Sequence, residues 1–585
     1  MKHILLVAIN AKYIHSNLAV YCLKAYAGEY EDNVSVAEYT INNRVDDILD
    51  DIYTRKPDMI GFSCYIWNIE YIKKLIVEIH KLLPQCRIWL GGPEVSYNTD
   101  YYIDNYDFLT GIMVGEGEAT FKEVVERFVE QDSIDNNADD YVSEKESVCK
   151  ISSEFTYYDN IPGICTRNIR KPVARACIDM SDIPFLYKDI KNFENRIIYY
   201  ESSRGCPFSC SYCLSSIDRK LRFRDILLVE KELSFFLEHK VPQVKFVDRT
   251  FNCDRERSLR IWKYIMEHDN FVTNFHFEIS ADLLTDEQIE VLNNMRPGLV
   301  QLEIGVQTTN ETTVKAIRRK MDIKKLKEVV NKINKPQNIH LHLDLIAGLP
   351  FEDITSFRKS FNDVYNMKPD ELQLGFLKVL YGSYMYDDAK KYEITYREYP
   401  PYEVLQTKWL SYDDILSLKK LEEVLEIYFG SGQFKQSVSY LLEFFDTPYD
   451  FYNKLGEFCF NNSKKSEKHS RIERYNILRK FALEICIENK SFDMEILDEL
   501  MTFDIYIREN IKTRPPFARD RETSRDVIKN VTFKYDIHKT DHIEEFSEKT
   551  VKRIFGNNEK GRFICFNYRD RNPVDYNAKI KHIDF

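Results

Sequence analysis

Positive charge is in short supply in this chain. Its 585 residues carry 82 Lys and Arg against 94 Asp and Glu, a formal net charge of −12. No global field therefore draws in nucleic acid or an anionic membrane, although a local basic patch could sit within the average. A long apolar start is also missing. Met1-Lys2-His3-Ile4-Leu5-Leu6-Val7 turns polar at Asn10, too soon for a signal peptide or a membrane span. A disulfide framework is absent as well. Thirteen cysteines, an odd number, are scattered without a repeating pattern, which suits a reducing compartment. The expectation is a cytoplasmic protein with neither a membrane nor a nucleic acid as partner. What the chain has is ordinary globular content, 44% hydrophobic residues, and too much length for a single core.

One stretch departs from the scatter. Glu201-Ser202-Ser203-Arg204-Gly205-Cys206-Pro207-Phe208-Ser209-Cys210-Ser211-Tyr212-Cys213 sets three cysteines at C-x3-C-x2-C spacing, after the strand-like Ile197-Ile198-Tyr199-Tyr200. Four thiolates normally hold a four-iron cluster, so three leave one iron without a protein ligand. The other readings are a zinc site short of a ligand and three ordinary cysteines. Zinc usually wants a second C-x2-C pair downstream, and the sequence has none.

Before this loop, apolar runs alternate with helical stretches. Strands are expected at Ile4 to Ile9, Val34 to Ala37, Met59 to Ser63, Arg87 to Leu90 and Phe108 to Val114. Helices are expected at Asn17 to Ala27, Val45 to Tyr53, Ile69 to Leu83 and Ala119 to Phe128. Such alternation implies a parallel, doubly wound α/β sheet, whose ligands bind beyond the carboxyl ends of the strands. That rule selects Asn10 to Ser16, Ser63-Cys64, Gly91-Gly92-Pro93-Glu94 and Gly115-Glu116-Gly117-Glu118. The acidic, apolar-poor stretch Gln131 to Ser147 reads as a linker. Ile161 to Arg167 reads as a short strand, and Cys149, Cys165 and Cys177 match no cluster spacing.

After the loop the alternation resumes. Strands are expected at Gln243 to Asp248, Phe275 to Ser280, Val300 to Val306, His340 to Ile346 and Glu371 to Lys378, with helices between them. With the strand before Cys206 this makes six βα units, a partial parallel barrel whose chemistry sits at the strands' carboxyl ends. From Tyr412 onward the chain reads mostly helical, at Tyr412 to Glu426, Val438 to Phe445, Phe451 to Phe458, Ile472 to Ile487 and Met494 to Ile511. Late strands are expected at Ile554-Phe555 and Arg562 to Tyr568. The basic and aromatic Lys512 to Arg519 stretch has the composition of a nucleic-acid contact, but a solvated connector is the preferred reading.

The cysteine spacing, with aromatic Tyr212 just before Cys213, resembles the cluster loop of the radical S-adenosylmethionine (SAM) superfamily. The resemblance implies a [4Fe-4S] cluster on Cys206, Cys210 and Cys213. Its open iron would take the amino and carboxyl groups of SAM, and one electron would cleave the sulfonium to a 5′-deoxyadenosyl radical. It further implies SAM contacts from Tyr212 and Asp248, the latter accepting from the ammonium; otherwise Asp248 is a helix cap or turn acid. Ser280, Glu303, Gln307 and Gly348 complete the implied SAM set. The family commonly has arginine near Ser280, and its absence leaves the SAM carboxylate partner open. The alternative for Glu303 is a buried acid paired with an arginine.

The first third, through Gly91-Gly92-Pro93-Glu94 and Gly115-Glu116-Gly117-Glu118, resembles the cobalamin-binding domain that precedes many radical SAM cores; the alternative is a flavodoxin-like domain with another ligand or none. The resemblance implies cobalamin contacts from Asn10, Tyr13, His15, Ser63, Gly91, Gly92, Gly115, Glu116, Gly117 and Glu118. The D-x-H-x-x-G motif that supplies a lower cobalt ligand in methionine-synthase-type domains is absent after the first strand, and the expectation is cobalamin with its own base displaced and no histidine below. The whole layout resembles a group of cobalamin radical SAM proteins with a helical C-terminal extension, and offers no role for that extension. The implied domains are residues 1–132 for cobalamin, 133–191 as a bridge, 192–405 as the radical SAM core and 406–585 as the extension. The implied reaction is C-methylation of an unactivated carbon in a small molecule, with an electron donor such as flavodoxin or ferredoxin. Two alternatives remain: cyclisation or rearrangement with cobalamin but no methyl transfer, and a corrinoid or redox sensor that turns nothing over.

Overall fold

A computed structural model describes residues 2–135, 157–462, 469–485, 489–519, 532–535, 537–556 and 562–583. The linker expected at Gln131 to Ser147 lies outside the described residues beyond 135, as does Cys149. Among the described residues no helix is long and apolar enough to cross a membrane. The chain divides into two compact units. The first holds Met1–Glu278, Ile317–Arg319 and Lys378–Val404; the second holds Ile279–Ala316, Lys320–Leu377 and Leu405–Phe585.

The first unit opens with the expected doubly wound sheet. Its strands are β1 (Ile4–Asn10), β2 (Val34–Thr40), β3 (Met59–Ser63), β4 (Arg87–Gly91), β5 (Gly111–Met113) and β6 (Ile164–Cys165), in the order β2-β1-β3-β4-β5-β6. The pairs from β1 to β5 are parallel, and β6 closes the edge antiparallel to β5. Every residue of central β1 is buried, as a strand covered on both faces requires. Period-two alternation sends Leu5, Val7 and Ile9 into one apolar core and Ile4, Leu6 and Ala8 into the other. Asn17 begins the helix Leu18–Tyr26 by accepting from the Val20 N–H.

Two strands are shorter than their apolar runs. The fifth spans three residues where Phe108 to Val114 was expected, because Leu109 N–H closes a turn on the Tyr106 carbonyl. At Ile161 to Arg167 only Ile164–Cys165 forms a strand, because the Ile161 N–H turns back to Tyr158 before it and the Thr166 N–H turns to the Ile169 carbonyl after it.

The expected βα units follow, with parallel strands in each unit. The cysteine loop follows β7 (Ile198–Tyr200) and contains the short antiparallel pair β8 (Ser203–Arg204) and β9 (Arg222–Phe223). Within the first unit β7 pairs parallel with β10 (Gln243–Phe246), and β10 with β11 (Asn274–Ile279). Within the second, β12 (Val300–Gln307), β13 (His340–Ala347) and β14 (Glu371–Phe376) pair parallel in that order.

The C-terminal region is mostly helical, with helices at Tyr412–Leu425, Lys435–Leu441, Pro448–Asn462, Arg471–Ile485 and Met494–Tyr506. It ends in a three-stranded antiparallel sheet of His542–Glu545, Phe563–Arg571 and Ala578–Ile583. Ile554-Phe555, expected as a strand, instead ends the helix Glu548–Phe555. Ser547 caps that helix by accepting from the Thr550 N–H, and Val551, Ile554 and Phe555 face the local core at helical spacing.

Candidate functional site

Three thiols sit on one loop at the carboxyl end of β7. Cys206 and Cys210 are buried, Cys213 is half-buried, and all three are free. Asp248, just past β10, holds the entrance to the loop. It is buried and accepts from Ser202 N–H at 3.0 Å, Ser202 Oγ at 2.7 Å and Ser203 Oγ at 2.5 Å. Burial pushes its carboxyl up, against the pull of those donors. Gly205 then makes a turn at φ +90°, where an added Cβ would lie 2.5 Å from the Lys220 carbonyl. Cys206 N–H donates to Asp218 O at 3.0 Å, and its sulfur lies 3.9 Å from Thr250 Oγ1.

The rest of the loop is held from two other segments of the same unit. Ser211 donates its N–H to Ile317 O at 2.9 Å, and its carbonyl accepts from Met385 N–H at 2.7 Å. Arg319 places Nη1 3.7 Å from Cys210 Sγ and 3.1 Å from Tyr212 Oη. Cys253 carries a fourth nearby thiol. Its neighbours include Cys206 and Asp248, and burial first, then these charges, push it up to about 11. Sequence reading missed Arg319 and Cys253, since neither belongs to a spaced motif.

The acids of Gly115-Glu116-Gly117-Glu118 lie against arginines of the cysteine loop. Arg204 Nη2 meets Glu118 Oε1 at 2.5 Å, its Nη1 is 3.8 Å from Glu116 Oε1, and its Nε donates to Glu201 at 2.9 Å. Arg222, opposite Arg204 in the β8–β9 pair, meets Glu116 at 2.5 Å and Asp218 at 2.9 Å. Burial drives Glu201 up to about 7 despite Arg204. The loop after β5 and the loop after β7 are thus bound through one partly buried ion-pair network. No spacing rule pointed to Arg204 or Arg222.

The other strand ends of the first sheet are just as firmly placed. Asn10 Nδ2 donates to Glu38 at 2.9 Å and to the His15 carbonyl at 3.1 Å. His15 Nδ1 is hydrogen-bonded to Tyr199 Oη at 2.6 Å, and burial, with Lys12 and Lys245 adding to it, holds the imidazole below its usual range. Tyr13 is exposed, with the Arg196 guanidinium 5.3 Å above its ring. Ser63 Oγ lies 3.4 Å from the Asn17 amide nitrogen. Gly92 has φ +113°, and a Cβ there would lie 2.5 Å from the Cys64 carbonyl, so only glycine fits this turn. Glu94 is buried and accepts from the Tyr402 hydroxyl.

In the second unit, Ser280 Oγ donates to Asp282 at 2.7 Å. Glu303 stands mid-strand on β12, opposite His342 of β13. His342 Nε2 is 3.0 Å from Asp344 Oδ1; Asp344, Glu371 and Glu303 together outweigh burial and raise the imidazole pKa. Gln307 ends β12 at φ +69°, an uncommon conformation for a non-glycine residue. Its Oε1 is buried without a hydrogen-bond partner among the described residues. Gly348 follows β13 at φ +90°.

These residues fit the groups named by the resemblance. Three free thiols on one loop, with a guanidinium on one sulfur, are a donor set for an iron–sulfur cluster with an open iron. Gly115 offers backbone at φ +83°, with nothing among the described residues within 4 Å of where a Cβ would stand, so a ligand can approach the backbone there. The orphaned Gln307 oxygen is an acceptor waiting for a donor.

Three family models match this chain in sequence order. The model of the B12 binding domain matches residues 4–125, that of the Radical SAM superfamily residues 200–364, and one described as "Protein of unknown function (DUF4080)" residues 390–577. The cobalamin-dependent radical SAM methyltransferase TokK of Streptomyces tokunonensis is 23% identical over 332 residues, 52% of this chain and 44% of that protein. This chain therefore spans less than half of that relative. Among solved structures, the cobalamin-dependent SAM radical enzyme OxsB with aqua-cobalamin and SAM bound aligns with TM-score 0.53 and 15% identity, over 86% of this chain and 79% of that one. TsrM from Kitasatospora setae, with cobalamin and a [4Fe-4S] cluster bound, aligns with TM-score 0.52 and 14% identity, over 69% and 82%. Both are likenesses of fold. The chain thus joins a B12-binding domain to a radical SAM domain, ahead of a mostly helical C-terminal region.

Proposed function

We propose that this protein is a cobalamin-dependent radical SAM enzyme that methylates an unactivated carbon of a small molecule. The observation that carries the reading is the set of three free thiols on the loop after β7, bound through Arg204 to Glu118 of the loop after β5. When bound, the cluster supplies the electron that opens SAM to a 5′-deoxyadenosyl radical, and cobalamin supplies a methyl carrier. The chain's own residues hold and shield. Cys206, Cys210 and Cys213 would ligate three irons and leave the fourth for SAM. Tyr212, Asp248, Ser280, Glu303, Gln307 and Gly348 are assigned to the SAM side. For Asp248 the role is indirect, since its oxygens already accept from Ser202 and Ser203. Gln307 would use its open oxygen as a hydrogen-bond acceptor.

The cobalamin side falls to Asn10, Tyr13, His15, Ser63, Gly91, Gly92, Gly115, Glu116, Gly117 and Glu118. Within that set, Glu116 and Glu118 act by fixing the loop to Arg204 and Arg222. The electron would come from a small carrier such as flavodoxin or ferredoxin. The similarity to TokK supports methyl transfer. The test is anaerobic reconstitution with iron, sulfide and hydroxocobalamin, then incubation with methyl-labelled SAM, a reductant and a metabolite extract. A four-iron EPR signal, retained corrinoid, 5′-deoxyadenosine, S-adenosylhomocysteine and labelled product are expected. 5′-Deoxyadenosine with no transferred label would favour cyclisation or rearrangement instead. Neither 5′-deoxyadenosine nor S-adenosylhomocysteine would favour a sensor.

A further inference from the structure

Two adjacent arginines, Arg318 and Arg319, follow β12 and differ sharply in placement. Arg318 has φ +54°, a strained conformation for a residue with a Cβ. Its side chain is exposed, 3.3 Å from Asp388 and 4.5 Å above the Tyr384 ring. The segment is tied to the cysteine loop on both sides of Cys210. Ser209 Oγ donates to Arg318 O at 3.5 Å, and Ser211 N–H donates to Ile317 O at 2.9 Å. The turn thereby sends Arg318 outward and brings the Arg319 guanidinium to Cys210 Sγ at 3.7 Å, braced by Tyr212 Oη at 3.1 Å.

We propose that Arg319 sets the reduction potential of the cluster held by Cys206, Cys210 and Cys213, by fixing a positive charge and an N–H donor against the Cys210 sulfur. The inference rests on the reading that these cysteines carry a [4Fe-4S] cluster. Reduction adds one negative charge to the cluster, and a nearby cation stabilises the reduced form more than the oxidised one. Hydrogen bonds to cluster sulfurs act in the same direction. Arg319 is therefore a positioning residue for the electron, while Tyr212 holds the guanidinium in place. Arg318 carries the same charge in solvent, where screening makes it weak.

The experiment reconstitutes the wild-type protein and the R319Q, R319K, Y212F and R318Q variants anaerobically. Reduced cluster is followed by EPR during potentiometric titration without SAM, so turnover is not the readout. R319Q should lower the ratio of reduced to oxidised cluster at fixed potential about tenfold, which is about 59 mV for one electron. R319K should keep most of the wild-type ratio, Y212F should shift it part of the way in the same direction, and R318Q should leave it within about twofold. An R319Q protein with an intact four-iron signal and an unmoved or raised potential would overturn the proposal. An equal shift in R318Q would do the same. If R319Q does not assemble a cluster, an unmoved potential in Y212F overturns it. A wild-type chain that assembles no four-iron cluster would overturn the proposed function instead.

Discussion

Replacing Gly205 by alanine should damage the cysteine loop by two separable effects. The first is conformational: Gly205 sits at φ +90°, and holding an L-residue in such a region costs about 1–3 kcal/mol. The second is steric. The new Cβ would stand 2.5 Å from Lys220 O, 3.0 Å from Lys220 C and 3.3 Å from Asp218 O, all backbone atoms, and overpacking of this kind costs about 1–3 kcal/mol more. The total, about 2–6 kcal/mol, is a large share of the about 5–15 kcal/mol that holds a typical domain folded. The displaced backbone also carries the 3.0 Å hydrogen bond from Cys206 N–H to Asp218 O, so the first cysteine should move with it.

Gly556 provides the control. It has φ +86° and nothing within 4 Å of a built Cβ among the described residues. G556A should therefore pay only the conformational cost, about 1–3 kcal/mol. Chemical denaturation of the cluster-free chains, and iron bound per chain after reconstitution, measure the two consequences. G205A should be the less stable of the pair by about 1–3 kcal/mol, with iron content well below wild type. Equal stability of G205A and G556A, with full iron in both, would refute the reasoning.

Three further perturbations have definite signs. Arg204 faces Glu201, Glu118 and Glu116 in partly buried surroundings; R204Q strands those carboxylates and should cost about 3–5 kcal/mol, seen in denaturant titrations together with loss of both iron and corrinoid. Glu352 is fully buried, accepts from Thr308 at 2.6 Å and Ser360 at 2.9 Å, and is pushed by burial from 4.5 to about 7. Its folded form binds the proton more tightly than the unfolded chain, so its contribution is full below about pH 4.5 and is lost as pH rises to about 7, by up to about 3 kcal/mol. The stability difference between wild type and E352Q should fall across that window, and a flat difference would contradict the assignment. His15 is committed to Tyr199, so H15A should leave the EPR of bound cobalt(II) corrinoid unchanged; nitrogen lines present in wild type and lost in H15A would show histidine ligation.

Legibility in the sequence followed period and spacing. The buried strands of the first sheet read directly from Ile4 to Ile9 and Met59 to Ser63, because a strand covered on both faces must be continuously apolar. The helices read from apolar repeats at three and four residues. The short failures lie where backbone turns override side-chain pattern, as at Leu109, Ile161 and Thr166. Ile554-Phe555 failed for another reason: two apolar residues cannot distinguish a strand from the last turn of a helix, and the Ser547 cap decides it.

The candidate site divides along the same line, and the division bears on how glycine-and-acid loops should be read. Gly115-Glu116-Gly117-Glu118 is conspicuous at a strand's carboxyl end, and the family resemblance assigns all four residues to a ligand. Geometry separates them. Gly115 leaves open backbone on one side, while Glu116 and Glu118 are taken up by Arg222 and Arg204. Those arginines stand opposite each other in the β8–β9 pair. A carboxylate already charge-paired at 2.5 Å gains little by turning to a neutral ring edge, and breaking a half-buried pair leaves two uncompensated charges. The acids therefore work as couplers between the loop that would meet the corrin and the loop that would hold the cluster. It follows that E118Q and R204Q should fail alike in both cofactors, whereas substitutions at Gly115 should weaken corrinoid retention and leave the iron in place. If E118Q instead lost corrinoid while keeping full iron, Glu118 would belong with the ligand contacts after all.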